Sequence, residues 1–272
     1  MMKSNQQPIA VFDSGVGGLT VLSALRKAMP HENFLYLGDT ARVPYGNKSA
    51  STIQRYVVEA AHYLLKQNIK LLVIGCNTAV AADSIFKVHA EFPELPIIGV
   101  IQPGALSAVQ ASKTKQIGVL STRATLNSGA YERAIKQHVA DAQVFTYAAP
   151  LLVPLAEEGW LSGEVATQTI TNYLQPILDH AIDCLLLGCT HYPLFIPLIH
   201  SVLPEHITLV DSATTTAHAT LECLQVLDIE NKQKSPGDTQ FYVTDAPLEF
   251  ARVGRLFLGE EIIPKKVHLT DL

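Results

Sequence analysis

Several short segments of this chain are apolar from end to end rather than alternating, and that pattern limits the fold more than any other feature. Runs at 9–12, 34–37, 71–74, 97–101, 117–120, 144–147, 184–187 and 208–210 read as strands. A strand with one wet face alternates, whereas a parallel strand covered by helices on both faces need not. The stretches 18–28, 49–66, 78–89, 126–138, 163–179 and 213–227 carry apolar residues at spacings of three and four, the period of a helix. Strands alternating with helices in this way predict an α/β protein with parallel sheets.

Two of the strand-like runs end alike. Leu71-Leu72-Val73-Ile74 is followed by Gly75-Cys76-Asn77-Thr78, and Cys184-Leu185-Leu186-Leu187 by Gly188-Cys189-Thr190-His191. Open α/β sheets bind ligands at the carboxyl ends of their strands. Two matched turns therefore predict two thiols that face one small molecule from opposite sides. That arrangement suits a reaction in which a proton leaves one face of a carbon and returns on the other. A thiol works as a base only when a helix N-terminus or a nearby charge favours its thiolate, and both turns lead into an expected helix start. A single cysteine is more often a small buried apolar residue; the repeated Gly and Thr argue against that here. Cys184 and Cys223 fall inside a strand and a helix and read as structural.

Ile9-Ala10-Val11-Phe12-Asp13-Ser14 also resembles Ile207-Thr208-Leu209-Val210-Asp211-Ser212. Two similar parallel-sheet α/β domains related by pseudo-symmetry follow, with the active site between them. The order Asp-Ser, Cys, Cys, Asp-Ser predicts a discontinuous first domain, 1–97 plus 207–272, and a second of 98–206. The Pro-containing segment 92–96 is the expected crossing and 204–206 the expected return. The polar stretch 231–238 reads as a surface loop.

At 272 residues, 48% hydrophobic and 17% charged, the chain can build a sizeable core and is not disordered. A net charge of −5 and no basic run longer than Lys265-Lys266 argue against nucleic acid and membrane surfaces as partners. No apolar stretch reaches the length of a membrane span, and the polar first residues lack the apolar region of a signal peptide. Four cysteines without a CxxC pair form neither a disulfide framework nor a zinc site. A cytoplasmic protein with reduced thiols is expected.

Other segments offer polar groups at strand ends. Asp13-Ser14-Gly15-Val16-Gly17-Gly18 exposes backbone N–H groups before a helix, which can hold an anion; it has neither the full GxGxxG pattern nor a phosphate-loop lysine, and a tight turn accounts for it equally well. The 38–47 segment, with Pro44, Tyr45 and Gly46, is a loop by composition and taken alone is a connection. Thr122 and Thr125 fit helix caps as well as ligands. His191, two residues from Cys189, suits general acid–base work. Glu157 or Glu158 could orient it, although a solvated helix end accounts for that pair too.

Taken together, Asp-Ser-Gly-Val-Gly-Gly at 13–18, Pro-Tyr-Gly at 44–46, Cys-Asn-Thr-Ala at 76–79 and Gly-Cys-Thr-His-Tyr-Pro at 188–193 resemble the aspartate/glutamate racemase family. The last motif favours its glutamate-specific members. Val80 stands where the family pattern has a small residue. The resemblance implies two α/β domains around a glutamate-sized site and cofactor-independent L/D interconversion of glutamate for peptidoglycan. It implies Cys76 and Cys189 as the acid/base pair, Asp13 assisting Cys76, and Glu157 and His191 assisting Cys189. Asp13, Ser14, Pro44, Tyr45, Gly46, Asn77, Thr78, Thr122, Thr125, Thr190 and His191 would bind substrate. No metal and no cofactor are implied; glutamate is the small-molecule partner, and a homodimer is the implied assembly.

The chemistry suits these residues. Removing an α-proton builds charge beside a carboxylate, which many enzymes handle with pyridoxal phosphate bound through a lysine. No strand-end lysine occurs here in a matched motif. The alternative is a base on one face and an acid on the other, with neutral donors around the carboxylates. An aspartate racemase of the same family and a non-catalytic amino-acid-binding protein are the competing readings.

Overall fold

All ten strands among the described residues pair in parallel, as the end-to-end apolar runs predict. The structure, a computed structural model, describes residues 5–272. The strands are β1 (Ile9–Asp13), β2 (Phe34–Gly38), β3 (Leu71–Ile74), β4 (Ile97–Gly99), β5 (Gln116–Ser121), β6 (Gln143–Ala148), β7 (Cys184–Gly188), β8 (Thr208–Asp211), β9 (Thr239–Val243) and β10 (Lys265–Lys266). The helices are α1 (Leu19–Ala28), α2 (Ala50–Lys66), α3 (Asn77–Ala81), α4 (Ser84–Glu91), α5 (Ile101–Ala111), α6 (Arg123–Ser128), α7 (Ala130–His138), α8 (Leu152–Glu157), α9 (Glu164–Leu178), α10 (Ile196–Val202), α11 (Ser212–Val226) and α12 (Pro247–Leu258). They form two sheets, ordered β10-β9-β2-β1-β3-β4 and β6-β5-β7-β8.

The reason for the uniform apolarity is visible in β1. Ile9 and Val11 face one core, which runs on into β5, β7 and α5; Ala10 and Phe12 face another, built with α2 and α4. Successive side chains of a strand point to opposite faces, so a strand between two cores must be apolar at every position. The helices follow the same logic. In α11 the buried residues Ser212, Ala213, Thr216, Ala217, Thr220 and Leu224 keep a three-and-four spacing. Its first turn is capped by Asp211, whose Oδ1 accepts from Thr214 N at 2.8 Å.

The two sheets share one order: β2-β1-β3-β4 matches β6-β5-β7-β8. This is the pseudo-symmetry expected from the sequence, but it is carried by different segments. β8 stands beside β7 as β4 stands beside β3, so the counterpart of β1 is β5, not β8. The likeness of 9–14 to 207–212 reflects two strands leading into helices with similar Asp-Ser turns. It also displaced the expected crossings. β4 still belongs to the first sheet, so the chain leaves it after Gly99 rather than at 92–96. β8 belongs to the second, so the return lies beyond Asp211, not at 204–206.

Two expected helices are each broken. The 78–89 stretch is interrupted at Asp83, with φ of 58°, and becomes α3 and α4. The 126–138 stretch breaks at Gly129, with φ of 65°, between α6 and α7. The 97–101 strand stops at Gly99, where any Cβ would collide with Ile85 and Val80. Val80 thus packs against β4.

Candidate active site

Four strands deliver their carboxyl ends to one place. Asp13-Ser14 follows from β1, Cys76 comes two residues after β3, Thr122 one after β5, and Cys189 one after β7. They surround a cavity of about 450 Å³ between the two sheets. Of the site residues expected from sequence, Ser14, Pro44, Tyr45, Gly46, Cys76, Asn77, Thr78, Thr122, Glu157, Cys189, Thr190 and His191 line it. Asp13 and Thr125 lie in the layer behind that lining, each about fully buried at 1% exposure.

Cys76 sits at the start of α3. Its thiol donates to the Ser14 hydroxyl at 3.4 Å. Burial, then the nearby Asp13 carboxylate, pushes its pKa up to about 12, with the Ser14 hydroxyl and the Ala79 N–H acting the other way. Asp13 itself is held above the usual carboxylate range by burial, partly offset by the Gly15 N–H at 2.9 Å and by the His191 charge. Its Oδ1 has no hydrogen-bond partner among the described residues. Cys76 is therefore a thiol at neutral pH.

Cys189 has a different neighbour. Its sulfur lies 3.9 Å from His191 Nδ1, and His191 Nε2 lies 2.9 Å from Glu157 Oε1. Burial pulls the His191 pKa down, but hydrogen bonds and charges from Cys189 and Glu157 outweigh it and raise it to about 10. The Phe257 ring meets the imidazole edge-on at 5.5 Å between centroids and fixes its plane. The sequence left Glu157 and Glu158 open; the structure puts Glu157 on His191, while Glu158 is exposed.

Hydroxyls and amides make up the polar wall. Thr78 and Thr122 hydroxyls lie 3.2 Å apart, and Thr122 both donates to Thr125 Oγ1 at 3.1 Å and caps α6. Asn77 accepts at Oδ1 from the Tyr131 hydroxyl at 2.6 Å, while its Nδ2 has no partner among the described residues. The Tyr45 hydroxyl is committed elsewhere, donating to Asp39 Oδ2 at 2.6 Å. Asp39 also accepts from Thr244 at 2.9 Å and Arg42 at 2.6 Å, so this network moors the Pro44–Gly46 loop to the end of β9.

The glycine turn serves a purpose the sequence reading missed. A Cβ on Gly17 would strike Thr190 and come within 2.5 Å of the His191 ring. Gly17 is small because the other cysteine turn lies against it. Also missed were Arg123 at the rim and the apolar wall of Val43, Val153, Pro150 and Pro154. None of them belongs to a repeated pattern, so only the tertiary fold reveals them.

Both cysteines thus follow the carboxyl ends of parallel strands, one from each sheet, and line one cavity. The chain belongs to the Asp/Glu/Hydantoin racemase family, whose model matches residues 20–220. Within that family it is similar over nearly its whole length to glutamate racemases. It is 49% identical to the glutamate racemase of Syntrophus aciditrophicus, across 94% of each chain. The structure of a Bacillus anthracis glutamate racemase isoform superposes with a TM-score of 0.92 at 35% identity, covering 97% of this chain and 98% of that one. The Francisella tularensis glutamate racemase, solved with D-glutamate, gives 0.90 at 35% identity, covering 98% and 100%.

Proposed function

We propose that the protein interconverts L- and D-glutamate by proton transfer between Cys76 and Cys189. The observation that carries this reading is the presence of both sulfurs on the wall of one cavity, each with its own ionisable partner behind it. One thiolate takes the α-proton, so a C–H bond breaks and an S–H bond forms. The other thiol gives its proton to the opposite face of the same carbon. The second enantiomer reverses the roles.

The two ends are built differently. Cys189 has the His191 imidazole as its ionisable neighbour, and Glu157 holds that imidazole from behind. Cys76, held as a thiol by burial and Asp13, is the proton donor of the resting enzyme. The substrate carboxylates are bound by neutral donors: the Asn77 amide, the Ser14, Thr78, Thr122 and Thr190 hydroxyls, and backbone N–H groups. Fixed dipoles in a closed site stabilise developing charge without reorganising. No lysine lines the cavity among the described residues, so the chain offers no Schiff-base partner there. Cellular D-glutamate for peptidoglycan is the product this reading assigns.

The test is circular dichroism of L-glutamate in D2O with purified protein and no added pyridoxal phosphate. Loss of optical signal with one deuterium at Cα is the expected result, and Cys76→Ser or Cys189→Ser abolishes it while the fold persists. Full activity in either variant sinks the two-base scheme. Racemisation of L-aspartate but not L-glutamate moves the substrate; tight glutamate binding without exchange leaves a binding protein.

A further inference from the structure

Three large tyrosines are fully buried at the centre of the molecule, and a buried phenol needs a partner for its hydroxyl. Tyr36 donates to the Gly15 carbonyl at 2.8 Å, and Tyr192 lies within 3.0 Å of the Ser121 and Ala149 carbonyls. Tyr131 differs. It belongs to α7, beside the second sheet, yet its hydroxyl reaches Asn77 Oδ1 at the end of the first sheet. Its ring meanwhile lies against Gly188: a Cβ there would come within 2.6 Å of Tyr131 Cε2. One side chain thus touches the residue after Cys76 and the residue before Cys189.

We infer that Tyr131 is a positioning residue that ties the two cysteine turns together and sets the orientation of the Asn77 amide toward substrate. The inference rests on the reading that this cavity racemises an amino acid. An amide side chain presents a donor at one end and an acceptor at the other, and rotation by a half turn exchanges them. A phenol that donates its O–H engages the oxygen, as Tyr131 does at 2.6 Å; to accept from the nitrogen instead it would have to give up that bond and turn its own O–H elsewhere. Tyr131 O–H therefore pins Oδ1 away from the cavity and leaves Nδ2, buried and without a partner, as the end available to a carboxylate. Burial raises the Tyr131 pKa well above its ordinary value, aided by the Cys189 charge and opposed by the Ser212 hydroxyl, so the phenol stays a donor at any working pH. In the flipped orientation the amide oxygen would face the anion and repel it.

The experiment is a double-mutant cycle on Tyr131→Phe and Asn77→Ala, read as kcat and KM for glutamate in both directions, with melting curves for each protein. Y131F keeps the ring on Gly188 and removes only the hydroxyl. It is expected to lower kcat/KM about tenfold, the size of one lost hydrogen bond, with most of the change in KM. Added to N77A, it is expected to change kcat/KM less than about twofold, because the amide it acts through is gone. A general packing role would lower activity equally in both backgrounds, and that additivity overturns the inference, as does a Y131F protein with wild-type KM. Asn77→Ser replaces N77A in the cycle if N77A does not melt cooperatively. A wild-type protein inactive on glutamate and aspartate overturns the racemase reading itself, and the inference with it, before any variant is made.

Discussion

Glu157 and Glu158 are adjacent in sequence and unequal in place, so they make a clean comparison. Glu157 Oε1 lies 2.9 Å from His191 Nε2, while Glu158 is exposed. Glu157→Gln is expected to lower kcat about tenfold, the cost of one charge-assisted hydrogen bond, and Glu158→Gln to leave it within about twofold. Equal effects in steady-state assays would dissociate Glu157 from the imidazole. Because the two enantiomers are equal in energy, kcat/KM must fall equally in both directions, and any directional difference shows in kcat. His191 itself makes a pH prediction. Its pKa rises on folding from an ordinary 6.5 to about 10. A group shifted upward contributes stability that is complete below its unfolded pKa and lost as pH rises through the folded one. The melting-temperature advantage of wild type over His191→Asn is therefore expected to narrow from about pH 7 to about pH 10; an advantage that widens contradicts the assignment. Cys76, raised to about 12, is expected to resist iodoacetamide at pH 7 in the free enzyme, as mapped by peptide mass spectrometry.

At the scale of elements, the part of the fold written in short-range pattern was legible and the part written in contacts was not. The eight expected strands are all present, because an all-apolar run flanked by turn residues needs no tertiary information to recognise. β9, β10, α5, α8, α10 and α12 were not foreseen. β9 reads Thr-Gln-Phe-Tyr-Val, polar at its start, with Gln240 exposed and Phe241 and Val243 buried, so it lacks the uniform apolarity of its neighbours. The two cysteine turns were legible because they repeat one pattern at two strand ends. The reason for Gly17 was not, since its constraint comes from a turn more than 170 residues away. Gly17→Ala tests that constraint. Its Cβ would displace Thr190 and His191, so kcat/KM should fall by about a hundredfold or more if the catalytic groups move by an ångström. Near-normal activity in this variant would mean that the turn yields without disturbing His191.

Across the whole molecule, one ion pair joins segments that the chain order separates. Lys70 and Glu32 are buried, with 0% and 2% exposure, and lie 2.5 Å apart at the amino-terminal end of the first sheet, opposite the cavity. Lys70 Nζ also donates to the carbonyls of Asn5 at 2.7 Å and Ile229 at 2.8 Å, and Glu32 Oε1 accepts from Asn231 N at 2.6 Å. The pair thus fastens the entering segment and the segment that returns from α11 to the same sheet. The 231–238 stretch looked like a solvated loop because it is polar, yet Asn231 is buried: its polarity serves this cluster as well as solvent. Taking one charge from a buried pair strands the other, at a cost of about 3–5 kcal/mol, whereas replacing both by apolar groups of similar volume is often neutral. Lys70→Met is therefore expected to lower the denaturation midpoint strongly, and Lys70→Met with Glu32→Leu to recover much of the loss. Because the cluster lies away from the cavity, the folded Lys70→Met protein should keep its kcat. A single variant as stable as wild type would show that the two segments are held by packing alone.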